Sequence, residues 1–211
     1  MEDRKAALLP VPYFHLVCTV PHALNPLILT HKRPLLTLLF KAASQTLVQF
    51  GQRNLGGQIG CTMVLHTWDQ TLGAHFHVHC VIAAGALATN GARWIEADSR
   101  FLFPVRALST VFRGKFCEAL AWLWTTGALP LPEESTTVGS PVGFAPLRAQ
   151  LYAKEWVVYA TPPCAGPSTS WTLSAALRIA SLSHTTGSST CGMGGSALPT
   201  GTVSRATVSR R

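Results

Sequence analysis

The segment His75-Phe76-His77-Val78-His79-Cys80 concentrates the side chains best suited to chemistry. On a strand, residues two apart face the same side, so His75, His77 and His79 share one face while Phe76, Val78 and Cys80 enter the opposite layer. Two imidazoles held side by side on rigid backbone form a metal-binding pair. With one oxygen ligand and open positions, such a site suits a divalent ion that polarises a phosphate. Gln70, seven residues before His77, and His75 are the candidates for a third ligand. His66 sits on the preceding strand and could face the same site, but a lone histidine there is read as structural. His15, His22 and His31 are given no role. The competing reading is a set of surface histidines on a solvated face, or core histidines held by hydrogen bonds; three in register weigh against it.

A strand that presents such a pair needs partners and cover. Pro12–Val20 is β-branched and aromatic and reads as a strand, ending at the Pro21–Pro26 turn. Pro34–Phe50 places Leu35, Leu38, Leu39, Ala42, Leu47 and Phe50 at helical spacing behind an initiating proline. Gln58–Trp68 and Phe76–Ala84 read as strands separated by the polar loop Asp69–Ala74, and Arg93–Ala97 as a short partner strand after the Asn90-Gly91 turn. Ala107–Trp124 is an amphipathic helix and Glu155–Ala160 a last strand. The order β-α-β-β-β-α-β predicts an α+β fold, an antiparallel sheet with helices on one face and Phe76–Ala84 as an inner strand.

Composition bounds the rest. The 211 residues are 47% hydrophobic and 12% charged, which excludes a wholly disordered chain. No run of eighteen apolar residues is free of charge or proline and the first residues lack the order of a signal peptide, so a soluble, cytoplasmic protein with no membrane partner is expected. The six cysteines are far apart with no C-x-x-C pair, pointing to reduced, mostly buried thiols rather than a zinc ribbon or disulfide scaffold. The formal charge is +8, but Arg178, Arg205, Arg210 and Arg211 carry half of the excess, and all nine acids lie at or before Glu155. Residues 167–211 are rich in Ser, Thr, Gly and Ala and are read as a disordered tail behind a 1–166 core.

The strings L-P-V-P-Y-F-H-L-V-C-T-V-P-H-A-L-N-P-L (9–27), V-L-H-T-W-D-Q-T-L (64–72), H-F-H-V-H-C-V (75–81), F-P-V-R-A-L-S-T-V-F-R-G-K-F (103–116) and E-W-V-V-Y-A-T-P-P-C-A-G-P (155–167) resemble the two-tyrosine rolling-circle insertion-sequence transposases, members of the HUH endonucleases. The resemblance covers about Leu8 to Pro167. It implies a ferredoxin-like core whose central strand carries His77 and His79, binding Mg²⁺ or Mn²⁺. In that family the ion polarises the scissile phosphate of single-stranded DNA at transposon ends. A tyrosine on a following helix then attacks it to give a 5′-phosphotyrosine link.

Two parts of the family pattern are missing. The family has a Cys-rich zinc-binding region upstream, whereas this chain starts eight residues before the L-P-V-P-Y-F-H segment. The family's nucleophilic helix, in a Tyr-x-x-x-Tyr-Thr-His-Arg context, falls on Ser168–Ser183, which contains no tyrosine. Tyr13, Tyr152 and Tyr159 lie before that point and are read as packing residues. With third bases chosen freely, codons read from the third base of one residue through the first two of the next can give Gln-His-Val-Leu-Asp at Pro167–Thr172 and Thr-His-Arg at Leu177–Ala180. The tail is therefore expected to be a frameshifted product beginning near Pro167.

Three functions compete. The first is a truncated transposase that keeps the metal site but lacks its nucleophile. The second is a remnant that binds single-stranded DNA through Arg53, Arg113 and Lys115 without cleaving it. Those charges are few, and a solvated face explains them equally well. The third is an all-β metal enzyme of the cupin type, disfavoured because the next acid after His79 is Glu96 and because two long helices do not suit that fold.

Overall fold

The computed structural model describes residues 9–69, 73–98, 102–129 and 141–160. Gln70, the proposed boundary at 166/167 and the whole 167–211 segment lie outside the described residues.

Strand β1 (Tyr13–Thr19) opens the chain, and a short turn leads through helix α1 (Asn25–Thr30) into helix α2 (Lys32–Phe50). Leu35, Leu38, Leu39, Ala42, Ala43, Leu47 and Phe50 are buried along one stripe of α2, as their three- and four-residue spacing requires. One π-turn (Gly51–Leu55) ends on left-handed Gly56, and strands β2 (Gly57–Gln58), β3 (Cys61–Trp68) and β4 (Ala74–Ala83) follow. Next come β5 (Gly85–Ala88), β6 (Trp94–Glu96), α3 (Val105–Thr125), α4 (Pro141–Ala153) and β7 (Val158–Ala160).

The main sheet has the order β3-β4-β1-β7, with every neighbouring pair antiparallel. Counting β1-α2-β3-β4-α3-β7 along the chain, this is the βαββαβ ferredoxin-like arrangement. The expected inner strand is inner: β4 has β3 on one side and β1 on the other. Phe76, Val78, Cys80 and Ile82 of β4 join Leu16 and Cys18 of β1 in a core with the buried stripes of α2 and α3, so both helices cover one face. Each fully buried Leu or Phe there contributes about 1.5–3 kcal/mol. No described helix is long and apolar enough to cross a membrane.

Several features differ from expectation. Gln58–Trp68, read as one strand, divides into β2 and β3, which belong to different sheets. Trp94–Glu96 pairs not with the histidine strand but with Gly85–Ala88, and β2, β5 and β6 make a separate three-stranded sheet. The chain turns at Gly85, where a Cβ would meet the Ile95 carbonyl and the Trp94 ring at 2.5 Å, so only glycine permits the close approach. Helix α4 was not foreseen. Its Pro146 lies inside the helix, yet Phe144 stacks on Trp124 at 5.1 Å and buried Leu151 holds it to the core. The strand expected from Glu155 begins only at Val158, because Trp156 turns into the helical layer. Its ring sits 5.4 Å from Phe112 and 5.2 Å from Phe116, and its indole N–H donates to the Leu151 carbonyl. Ser109 Oγ donates to the Trp156 carbonyl at 2.6 Å and completes the anchor.

Candidate metal centre on the histidine face

Register assembles the site. His77 lies opposite Thr19 of β1 and His66 of β3, while His79 lies opposite Val17 and Val64. Cross-strand partners share a face, so this side of the sheet, away from the helices, gathers His15, His66, His77 and His79. The ring centroids of His66 stand 4.3 Å from His79 and 5.3 Å from His77, and those of His77 and His79 are 4.8 Å apart. Potential ligand atoms of His66, His77 and His79 all lie within 4.8 Å of one another, a group able to hold a metal ion. His77 and His79 are buried and His66 half-buried.

Hydrogen bonds at Nδ1 orient both rings. His77 Nδ1 lies 3.1 Å from the His75 carbonyl, which can only accept, so Nδ1 carries the proton and Nε2 the lone pair. His79 Nδ1 lies 2.8 Å from His15 Nε2, with the two rings stacked 5.1 Å apart at 4°. Burial, reinforced by the neighbouring His66, pushes His15 below the ordinary imidazole range and keeps it neutral. Either ring can donate in this contact; with His15 Nε2 accepting, His79 is the Nδ1–H tautomer and offers Nε2 as its ligand atom. Orientation of a ligating imidazole through its other nitrogen is the usual support of a histidine metal site.

The candidate ligands named from sequence divide. His77 and His79 come together as expected. His75 goes elsewhere: its Nδ1 is 2.9 Å from His22 Nε2, and its ring borders His77 at 4.9 Å. The third corner of the cluster is His66, which sequence reasoning set aside, and the supporting partner is His15, which it gave no role. The loop expected at Asp69–Ala74 contained part of the missing signal. The hairpin sets Trp68 opposite Ala74 and, across a break in register, His66 opposite His77, so the loop brings β3 beside the histidine strand but its length alone does not set the pairing.

The three candidate DNA-contacting cations are dispersed. Arg53 is exposed on the π-turn, and Arg113 and Lys115 belong to α3, which packs on the other side of the sheet. Arg113 donates to the Tyr152 and Lys154 carbonyls at 3.3 and 3.0 Å and lies 5.2 Å over the Tyr152 ring, so it caps the C-terminal end of α4.

Residues 60–172 match the family described as “Putative transposase” (Y2_Tnp). The chain is 40% identical over 169 residues to “Putative transposase y4qJ” of Sinorhizobium fredii, covering 79% of this chain and 42% of that protein. It is 39% identical over 80 residues to the transposase for insertion sequence element IS801 of Pseudomonas savastanoi pv. phaseolicola, covering 38% of this chain and 19% of the relative. The chain thus spans less than half the length of either. Among solved structures, the conjugative relaxase TrwC in complex with OriT DNA is similar, with a TM-score of 0.44, 14% identity, and 66% of this chain and 71% of that chain covered. A TrwC complex with a 27-mer DNA gives a TM-score of 0.45 at 15% identity, with 84% and 68% covered. The family match takes in more than half the chain, from β3 through β7, and the chain belongs to this transposase family.

Proposed function

We propose that this chain carries the metal-binding core of a rolling-circle DNA transposase acting in the cytoplasm, in which His66, His77 and His79 hold a divalent cation and single-stranded DNA at transposon ends is the partner. The observation that carries this reading is the cluster itself: three imidazoles on one face of an inner and an edge strand, with Nδ1 of His77 and of His79 each engaged in a hydrogen bond. A bound divalent ion would supply Lewis-acid polarisation of a phosphate oxygen. The protein's part is to hold the rings rigid and in the ligating tautomer. An all-nitrogen donor set is a poor match for Mg²⁺, and Mn²⁺, also an oxygen-binding ion, would draw further oxygen ligands from water or phosphate. Gln70 and His75 remain secondary candidates as additional ligands, and Arg53 and Lys115 are the proposed phosphate contacts outside the cluster, since the Arg113 guanidinium is engaged by α4.

We further infer that residues 1–166 form the core, that 167–211 is out of frame, and that the chain makes no covalent link to DNA. Transesterification needs a tyrosine oxygen within a few ångströms of the metal-bound phosphate. The family's nucleophile position falls on Ser168–Ser183, which has no tyrosine. Of the three tyrosines present, Tyr159 faces the histidine side, because its partner on β1 is Val17, itself the partner of His79. Two strand spacings, about 10 Å of sheet, separate it from β4.

The test is titration calorimetry with Mn²⁺ followed by a denaturing gel with labelled single-stranded DNA carrying an element end. The expected results are an isotherm that vanishes in the His77→Ala, His79→Ala double variant, and no protein-linked band. An unchanged isotherm would make the histidines structural, and a band abolished by Tyr159→Phe would make the chain a working enzyme. The alternative, a remnant that binds single strands without a metal role, is favoured if salt-dependent DNA affinity survives intact in the double variant.

A further inference from the structure

The histidine face carries two exposed aromatic rings that the metal site does not use. Trp68, at the end of β3, leaves 54% of its surface exposed, and Tyr159 on β7 leaves 51%. Most large apolar side chains of the sheet are buried on the helical side, so these two stand out by position. The Trp68 indole lies parallel to the His66 ring, 5.7 Å between centroids and 5° between planes. It therefore stacks on one of the three clustered histidines and turns its other face outward. Tyr159 sits on the opposite edge strand but on the same face, through the cross-strand series Tyr159, Val17, His79. The two rings lie on opposite edges of the histidine face, three interstrand spacings or about 14 Å apart across the sheet, with Trp68 displaced along the strands to the level of Ala74 and Tyr159 level with His79.

We propose that Trp68 is the positioning residue for the DNA, stacking one nucleobase of a single strand so that the adjoining phosphate lies over His66, His77 and His79, with Tyr159 supporting a second base on the far side. The proposal rests on the function proposed above and names the part of the surface that does the binding. An exposed indole beside a metal cluster offers a π-face that any base can cover, whereas a double helix keeps its bases stacked inward. A column of His66, Trp68 and base ties the base directly to a residue of the cluster. Stacking of this kind is worth about 1–3 kcal/mol per base and tolerates any sequence. Trp68 does not touch the phosphate, so its contribution is to geometry and affinity.

The experiment measures affinity of the full chain, with Mn²⁺ present, for a short labelled single-stranded oligonucleotide over a salt series. Trp68→Ala should weaken binding about 5- to 150-fold. The slope of affinity against salt should not change, because no cation is removed. Trp68→Phe should recover most of the loss, and Trp68→Ala, Tyr159→Ala together should lose more than either alone. The Mn²⁺ isotherm and thermal midpoint of Trp68→Ala should match the wild type, which separates lost stacking from a disturbed His66. As a control, Trp122→Ala, on an indole that is 62% exposed on α3 across the sheet, should bind as the wild type does. Equal affinity of Trp68→Ala and wild type, or equal losses at Trp68 and Trp122, would overturn the proposal while leaving the metal site standing. A wild-type chain that binds Mn²⁺ but no single strand would overturn this proposal and the DNA partner together. A chain that binds the strand but not Mn²⁺ would remove only the metal reading.

Discussion

Replacing His66 and, separately, His75 by alanine decides which histidine completes the metal site. The ligand atoms of His66, His77 and His79 span up to 4.8 Å. Nitrogens held by one ion would have to stand closer together than that, so the rings would close on it. His77 and His79 are buried on an inner strand and pinned through Nδ1, so closure falls to half-buried His66 on the edge strand β3. A modest χ rotation suffices. Loss of an outer partner of a metal ligand lowers affinity about 10- to 100-fold, and loss of a ligand itself should reach at least the upper end, about 2.7 kcal/mol. His66→Ala should therefore flatten the Mn²⁺ isotherm at concentrations that saturate the wild type. His75→Ala, whose ring nitrogen is bonded to His22, should change affinity less than about threefold, well under the cost of a ligand. The assay is titration calorimetry, with far-ultraviolet circular dichroism confirming the fold of each variant. Equal losses in the two variants, or an unaffected His66→Ala isotherm, would refute the assignment and return the third position to His75 or Gln70.

Other outcomes follow from the same geometry. His15→Ala should weaken Mn²⁺ binding about 10- to 100-fold without removing a ligand, and His15→Asn, which keeps an acceptor, should recover part of it in the same calorimetric assay. Trp156→Ala empties the space between Phe112 and Phe116 and should cost about 3–5 kcal/mol in urea unfolding, with Trp156→Phe retaining much of that. Burial pushes the Cys117 thiol up to about 11, so at pH 8 about one molecule in a thousand carries the thiolate. Mass-mapped alkylation of the native chain should label exposed Cys61 before buried Cys18, Cys80 and Cys117, although burial, with nearby Cys18, raises the Cys61 thiol as well.

Much of the fold was legible because the main elements obey one period each. The two-residue alternation read at 76–84 and the three- and four-residue stripe read at 34–50 each imply one apolar face, and the elements form at 74–83 and 32–50. Where the period is weak, the sequence says little. The segment Gly85–Ala88 has no β-branched residue, and its pairing with β2 and β6 depends on a turn at Gly85 that only tertiary contact reveals. Helix α4 contains Gly143 and Pro146, which argue against a helix locally, and its place is secured by Phe144 and Leu151. The Glu155–Ala160 pattern reads as β throughout because a buried tryptophan fits either a strand or an anchor between layers.

The metal site divides along the same line, between contacts within a strand and contacts across strands. His77 and His79 are two apart on one strand, so alternation alone places them together. His66 reaches His79 on a diagonal, since its direct partner is His77 and that of His79 is Val64. His15 reaches it on the opposite diagonal, being paired with Val81 while Val17 faces His79. Diagonal neighbours stand about 7–8 Å apart at their backbones, a gap that rings can bridge and short side chains cannot. The site therefore depends on register in both hairpin and sheet. A one-residue slip of β3 would turn His66 into the helical layer and bring Leu65 or Thr67 to the histidine face. The break in register between His66 and Trp68 is consistent with this dependence: pairing is kept where the imidazoles must meet and relaxed one residue later, where the indole leans over the His66 ring.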